Sequence, residues 1–167
     1  MAAIITSILV ATDFSPASSG AVEYGCILAR RFGASLRLLH VVEDPLLAAA
    51  WSEAYAFDTS ALREQMRAGA EADIARIAAT LTDVPVTTEV IVGSPARAII
   101  GRSAEPDIDL VVMGTHGRSG VSHLLLGSVA ERVVHGARCP VLTVREGSGH
   151  FDAVSATVPI AETAAPA

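Results

Sequence analysis

Short apolar runs alternate along the chain with longer stretches in which apolar residues recur at helical spacing. The apolar runs predict five strands, at residues 8–12, 35–42, 86–92, 109–113 and 140–144. The helical stretches cover residues 16–32, 61–81 and 96–104, and a fourth helix starts near residue 128. Because the strands are apolar almost throughout, they suit a sheet that is buried on both sides. The pattern predicts an α/β domain with a parallel sheet and helices on both faces.

Serine, proline and glycine mark the ends of two predicted helices. Ser15-Pro16 and Ser94-Pro95 each combine a capping serine with proline at the first helical position. Gly33 is placed to end the first helix.

The other two helices are defined by capping pairs and by apolar spacing. Ser128 followed by Glu131 fits a capping box, so we expect Ser128 to cap the fourth helix. The segment 58–60 is a candidate cap for the second helix. The residues of the second helix that we expect to point inward are Leu62, Met66, Ile74 and Ile77.

Length and composition indicate one folded domain followed by a tail. The chain has 167 residues, of which 51% are hydrophobic and 18% charged, which is enough apolar material for a single core. Residues 147–167 are rich in Ala, Gly, Ser and Pro without periodicity. We therefore predict a domain at 1–146 and a flexible or disordered tail at 147–167.

The segment 43–58 interrupts the alternating pattern. It contains Trp51, Tyr55 and Phe57. These aromatic residues are compatible with local core packing, with a lid or with a second contact surface, and the sequence leaves the three alternatives open.

The charged residues exclude several functional classes. All twelve basic residues are Arg, and the net charge is −6. Without Lys there is neither a Walker A phosphate loop nor a Schiff-base lysine. The absence of a basic surplus argues against nucleic acid as a partner.

Cysteine use and the N-terminus predict a cytoplasmic protein with no membrane segment. Cys26 and Cys139 form neither a C-x-x-C pair nor a zinc spacing, so we expect both to be small buried core residues. The first residues lack the basic and apolar regions of a signal peptide. No apolar run reaches the roughly 20 residues that a membrane helix needs.

The stretch GTHGRSGVSHLLLGS follows the fourth predicted strand and contains four glycines. A loop of this kind exposes backbone N–H groups, and the helix after it begins with further unpaired N–H groups. The stretch therefore indicates a phosphate cradle that uses no lysine. Ordinary turn glycines and a capping Ser128 are the alternative interpretation. The spacing does not fit the dinucleotide fingerprint, which needs G-x-G-x-x-G after the first strand.

Several motifs together resemble those of the universal stress protein family, in its ATP-binding branch. Gly114-x-x-Gly117, nine residues, then Gly127-Ser128 matches the G-2x-G-9x-G-S/T motif of that branch. The stretch ILVATDFS near the N-terminus, VGSP before the third helix and CPVLTV at the last strand are similar to family segments in the same order. The resemblance covers about residues 4–145.

The resemblance implies a single-domain Rossmann-like fold of the adenine nucleotide alpha hydrolase-like type, with strand order 3-2-1-4-5. It also implies an adenine nucleotide, ATP with Mg²⁺, in the crevice between strands one and four. Thr12 and Asp13, after Ala11, would contact the adenosine, with Asp13 near the ribose and the metal. Val41 would line the adenine pocket. The residues implied for the ribose side and the phosphates are Met113, Gly114, Gly117, Arg118, Gly127, Ser128 and Val129.

Each implied contact has a structural alternative. Asp13 would also suit a turn cap beside Ser15, and Thr12 and Val41 would suit plain strand ends. His116 lies inside the glycine-rich stretch and is a candidate ligand contact, although histidines in such places more often serve packing or face solvent. The five histidines show no ligand pairing, so we predict no metal site built from protein side chains alone.

For function, the resemblance implies a nucleotide-dependent regulator of the stress response with little or slow hydrolysis, and not an enzyme. The alternatives are a cyclic AMP- or AMP-binding member, a slow ATPase, and an interaction module that binds no nucleotide. The family also implies a homodimer through the last strand, at Val141, Leu142, Thr143 and Val144. An apolar strand at a sheet edge suits such pairing.

Overall fold

Five parallel strands form one sheet in the order β3-β2-β1-β4-β5. The computed structural model describes residues 5–43, 60–116, 126–145 and 147. In chain order the elements are β1 (Ser7–Ala11), α1 (Pro16–Phe32), β2 (Ser35–Glu43), α2 (Ser60–Thr80), β3 (Val86–Gly93), α3 (Pro95–Ser103), β4 (Leu110–Gly114), α4 (Ser128–Gly136) and β5 (Val141–Val144). The predicted fold class, strand order and sequence of elements are confirmed.

The register places β1 at the centre of the sheet. Ile8 pairs with Leu36 of β2 on one side and with Leu110 of β4 on the other. The chain leaves β1 towards one face of the sheet and leaves β4 towards the other. The carboxyl ends of β1 and β4 therefore flank the switch point at which open α/β sheets bind ligands.

Alternate residues of the central strands fill two separate cores. Ile8, Val10 and Leu38 pack under α1 and α2 on one face. Leu9 and Val111 pack under α3 and α4 on the other. Because side chains alternate along a strand, neighbouring residues of one strand serve different faces. This alternation explains why the strands are apolar at nearly every position.

The two serine-proline pairs begin helices where they were predicted to do so. Ser15 is the N-cap of α1, and its hydroxyl accepts a hydrogen bond from the Ser18 N–H at 3.3 Å. Gly33 ends α1 with a φ of 68°, which glycine adopts without steric cost. Ser94 is the N-cap of α3, but its side chain makes no capping hydrogen bond.

Helix α2 differs from the prediction at its start. Ile74 is buried and Ile77 partly buried, as expected, but Leu62 and Met66 are 47% and 40% exposed rather than inward-facing. The early turns of α2 lie beside the carboxyl edge of the sheet, where Met66 lines a cavity, and its later turns cover the sheet. Helical spacing predicts which residues share a face, but it does not predict where along the helix the sheet ends.

Some sequence predictions fall outside the described residues. These are nearly all of the segment 43–58 with its aromatic residues, the first part of the proposed cap at 58–60, Gly117 and Arg118, and almost all of the tail at 147–167. They stay predictions, as does the domain boundary at 146. Among the described helices, none is both long and apolar enough to cross a membrane.

Candidate functional site

A cavity of about 710 Å³ opens at the carboxyl edge of the sheet, over the switch point between β1 and β4. Its volume lies within the range of small-molecule sites. All of the predicted contact residues that the structure describes line this cavity: Ala11, Thr12, Asp13, Val41, Met113, Gly114, His116, Gly127, Ser128 and Val129. These residues come from four elements, β1, β2, β4 and α4, and from the connections beside them, and they meet around one space.

The turn after β1 is built by short polar side chains. The Thr12 N–H donates to the Leu39 carbonyl at 2.9 Å, which extends the pairing with β2 by one residue. The Asp13 carboxylate accepts hydrogen bonds from the Ser15 N–H at 3.1 Å and from the Ser15 hydroxyl at 2.5 Å. Asp13 therefore does fill the turn-capping role that the sequence offered as an alternative. It also lines the cavity, so that role and a ligand contact are compatible.

The hydrogen bonds around the Thr12 hydroxyl decide which of its neighbours it accepts from and which it donates to. It accepts from the Phe14 N–H at 3.1 Å and lies 3.1 Å from the Ser18 hydroxyl. The Ser18 hydroxyl donates to the Ser15 carbonyl at 2.9 Å. Since a hydroxyl has one proton, Thr12 must donate to Ser18. The turn is thereby tied to the first turn of α1.

Phe14 has an unusual backbone conformation, with a φ of 64°. A bulky side chain in this region costs on the order of 1–3 kcal/mol, and such residues cluster at functional sites. Its ring stacks on the imidazole of His40, with ring centroids 4.2 Å apart and planes 25° apart. The His40 Nδ1 lies 2.8 Å from the Thr12 carbonyl oxygen. Neither residue was among the predicted site residues, although both line the cavity.

Two glycines of the glycine-rich stretch allow close backbone contacts. A Cβ on Gly127 would lie 3.0 Å from the Thr115 carbonyl oxygen, and the Gly127 N–H donates to that oxygen at 2.8 Å. A Cβ on Gly114 would lie 3.1 Å from the His116 carbonyl oxygen and 3.2 Å from that of Ala17. Neither glycine has the positive φ that would demand glycine for its conformation. A Cβ at either position would press on backbone atoms, because backbone segments meet there. Both glycines line the cavity, and we call them its glycine floor.

The start of α4 corrects the predicted capping box. Gly127, not Ser128, is the N-cap, and Ser128 is the first helical residue. The Gly127 carbonyl accepts the Glu131 N–H at 2.9 Å, which is the first hydrogen bond of the helix. The close contact between Gly127 and Thr115 fixes this peptide, so the helix begins one residue earlier than a serine cap would place it. Ser128 is exposed at the cavity, at the positive end of the helix.

The described lining carries negative side-chain charge. Asp13, Glu43 and Asp73 line the cavity, and none of the described lining residues is Arg. Positive potential in this part of the site comes from backbone N–H groups and the α4 N-terminus. A strongly anionic ligand would therefore fit best together with a cation.

Side chains in the described residues do not form a metal site of their own. No group of three His, Cys, Asp or Glu residues is placed to hold an ion in that part of the chain.

Burial raises the pKa of the Cys26 and Cys139 thiols. Cys26 is buried as predicted, whereas Cys139 is partly exposed.

Comparison with known proteins agrees with this architecture. The family model described as the universal stress protein family matches residues 5–145. The chain belongs to the universal stress protein family. A universal stress protein of Methanocaldococcus jannaschii is 34% identical over 141 residues, which are 83% of this chain and 81% of the relative.

Other members of the family show the range of lengths and the shared fold. A universal stress protein of Mycobacterium tuberculosis is 34% identical over 139 residues, and the match covers 83% of this chain but 45% of that longer relative. Universal stress protein UspA from Lactobacillus plantarum has a TM-score of 0.69 at 28% identity, with 86% of this chain and 99% of that chain covered. A universal stress protein solved in complex with cAMP has a TM-score of 0.62 at 21% identity, with 86% and 99% covered. The last comparison supports the fold alone.

Proposed function

We propose that this universal stress protein binds ATP, as a member of the ATP-binding branch, and acts as a nucleotide-dependent regulator. One observation carries the proposal: a single cavity at the switch point joins Asp13 to the glycine floor at Gly114 and Gly127. Gly127-Ser128 at the start of α4 suits phosphate groups, because helix N-termini bind anions. Ala11, Val41 and Met113 share the apolar core on one face of the sheet and offer an apolar wall to the adenine.

Mg²⁺ bound with the nucleotide fits the charges of the cavity. Asp13 is a carboxylate, which is a ligand type that Mg²⁺ prefers, and Mg²⁺ is commonly held by one or two carboxylates together with phosphates. The ion would also offset the repulsion between phosphates and the acidic lining. The proposed role of Asp13 is to hold this ion and the ribose, while backbone N–H groups hold the phosphates.

A regulatory role fits the described lining better than rapid hydrolysis does. Fast phosphoryl transfer relies on lysine or arginine groups that stabilise the transferred phosphoryl group. The chain has no Lys, and the described lining includes no Arg. We propose hydrolysis that is slow or absent, with nucleotide occupancy changing the partners of the protein.

Calorimetric titration with Mg-ATP, AMP and cyclic AMP tests the proposal. Before the titration, a sample of the purified protein is denatured and the released material is checked for co-purified nucleotide. We expect Mg-ATP to bind at micromolar concentration. We expect Ser128→Ala to weaken it about tenfold, since a hydrogen bond to a charged group contributes about 1.5 kcal/mol. Ser94→Ala is the matched control, because Ser94 also begins a helix but is not among the cavity residues.

The outcomes separate the candidate ligands. Preference for cyclic AMP or AMP would retain the site and change the signal that it senses. If Ser128→Ala and Ser94→Ala change Mg-ATP affinity equally, the start of α4 does not contribute to phosphate binding. If no nucleotide binds and none co-purifies, the protein is better described as an interaction module.

We also propose a homodimer through β5, the last strand at one edge of the sheet. Leu142 is 36% exposed on this strand, whereas Val144 is 4% exposed and packs in the core under α1. A charge at Val144 would therefore disturb the fold itself. Leu142 is the position at which a charge tests assembly.

Leu142→Arg is expected to convert a dimer into a monomer, because it places a charge in an apolar strand-to-strand contact. Leu62→Arg on α2 is the matched control, since Leu62 is also an exposed apolar residue but belongs to a different element. Light scattering after size exclusion gives the mass of each variant. A dimer that persists in Leu142→Arg, or a monomeric parent protein, would contradict this interface.

A further inference from the structure

Phe14, His40 and Thr12 each contact the other two. The Phe14 N–H donates to the Thr12 hydroxyl, the Phe14 ring stacks on His40, and His40 Nδ1 meets the Thr12 carbonyl oxygen. Because a carbonyl oxygen only accepts, Nδ1 must carry the proton. His40 is 8% exposed, and its imidazole is held by the Phe14 ring at one face and by the Thr12 carbonyl oxygen at Nδ1.

These contacts hold the residues on both sides of Asp13. Thr12 is fixed through its N–H, hydroxyl and carbonyl oxygen, and Phe14 is fixed through its N–H and ring. Phe14 is also the only non-glycine residue with a positive φ in the part of the chain that the structure describes. A bulky residue keeps this conformation where its surroundings impose it. The Asp13 backbone is thus held between two fixed neighbours, while Ser15 holds its carboxylate through two hydrogen bonds.

The pair lies on the opposite face from the proposed adenine wall. Phe14 packs against the core under α1 and α2, and His40 alternates with Leu39, which belongs to the other core. The proposed apolar wall at Ala11, Val41 and Met113 belongs to that other core. Thr12 and Asp13 stand between the two faces and connect them.

We infer that Phe14 and His40 are positioning residues, which set the Thr12–Asp13 turn so that the Asp13 carboxylate meets the bound nucleotide and its cation. This inference rests on the proposed function. Phe14 and His40 line the cavity on the face opposite the proposed adenine wall, and their proposed effect on binding acts through the turn. Removal of either side chain should lower Mg-ATP affinity by no more than the amount that the Asp13 carboxylate contributes.

A double-mutant cycle in Mg-ATP affinity tests the inference. Phe14→Gly removes the ring but tolerates a positive φ, and His40→Ala removes both the stacking partner and the Nδ1–H donor. We expect each to weaken Mg-ATP binding about tenfold in the parent protein and to have almost no further effect in an Asp13→Asn background. If the two residues served folding alone, each substitution would lower thermal stability equally in both backgrounds. Its effect on Mg-ATP affinity would then be the same in the parent protein as in the Asp13→Asn variant.

Milder variants keep the test informative if Phe14→Gly does not fold. His40→Asn retains a donor near the Nδ1 position while losing the ring, so it should recover part of the affinity lost in His40→Ala. Nitrogen-15 shifts of the ligand-free protein should show His40 with its proton on Nδ1. Additive affinity losses, no loss, or a proton on Nε2 instead would overturn the inference. If the parent protein binds no nucleotide, the proposed function fails as well, which distinguishes that result from additive losses in a protein that binds.

Discussion

Gly25→Ala should lower the free energy of unfolding by about 2 kcal/mol, although alanine normally stabilises a helix more than glycine does. Gly25 lies in the middle of α1, and a Cβ there would come within 2.5 Å of Val10 Cγ2. Val10 is fully buried on the central strand β1, and its branched side chain has little freedom to turn away. The added methyl group must therefore push the helix away from the sheet. Urea unfolding followed by circular dichroism measures the change.

A second substitution identifies the cause of this loss. Val10→Ala alone should be destabilising because it leaves a cavity, but in combination with Gly25→Ala the two costs should partly cancel. Gly101→Ala on α3 is the matched control, since no atom lies within 4 Å of a Cβ there. It should stabilise the protein by about 0.5–1 kcal/mol. Equal effects at Gly25 and Gly101 would show that the contact with Val10 is not decisive.

Asp109→Asn is expected to cost about 1.5 kcal/mol at neutral pH and much less in acid. The Asp109 Oδ2 accepts hydrogen bonds from the Thr6 N–H at 2.7 Å, the Thr6 hydroxyl at 2.9 Å and the Ser7 N–H at 3.1 Å. These bonds, first of all that from the Thr6 N–H, hold the pKa of the Asp109 carboxyl below its usual value. They join the starts of β1 and β4, the strands that flank the cavity.

The pH dependence follows from the direction of that shift. A depressed pKa in the folded state means that the carboxylate stabilises the fold fully above its unfolded pKa, near 4, and loses this contribution as the pH falls through the lower folded value. The stabilities of the parent protein and Asp109→Asn should therefore begin to converge at about pH 4 and converge fully only below the folded-state pKa. Asp107→Asn is the control, because Asp107 is an exposed residue paired with Arg37 and should cost less than about 1 kcal/mol. A constant difference between the parent and Asp109→Asn from pH 7 to pH 3, measured by thermal unfolding, would contradict this account.

The order of elements could be predicted from the sequence because each strand is apolar on both faces and several helices carry clear end signals. Ser15-Pro16 and Gly33 bound α1 where they were expected to. The errors arose where tertiary contacts overrule a local signal. Ser128 has the sequence of a capping residue, but the contact of Gly127 with Thr115 moves the helix start. Leu62 and Met66 have helical spacing, yet they lie beyond the part of α2 that covers the sheet.

The candidate site was predictable to the extent that it depends on recognisable turns. Asp13 and the glycines follow strands that are neighbours in the sheet, so the implied strand order brings them together. Phe14 and His40 could not be found in this way. A positive φ at phenylalanine has no sequence signal, because its own preference opposes that conformation. His40 is one polar residue within an apolar strand, and its partner is a carbonyl oxygen, which every residue has.

The sheet order also determines when the site can form during synthesis. Thr6 and Asp109, which join the starts of the two strands flanking the cavity, are 103 residues apart in the chain. On the ribosome, β1 has β2 available long before β4 and α4 have been made, and pairing of such distant segments is slow. A nucleotide held between them therefore cannot guide the early folding of the nascent chain. The proposed nucleotide would bind only the completed sheet, so its stabilising effect should appear as slower unfolding rather than faster folding.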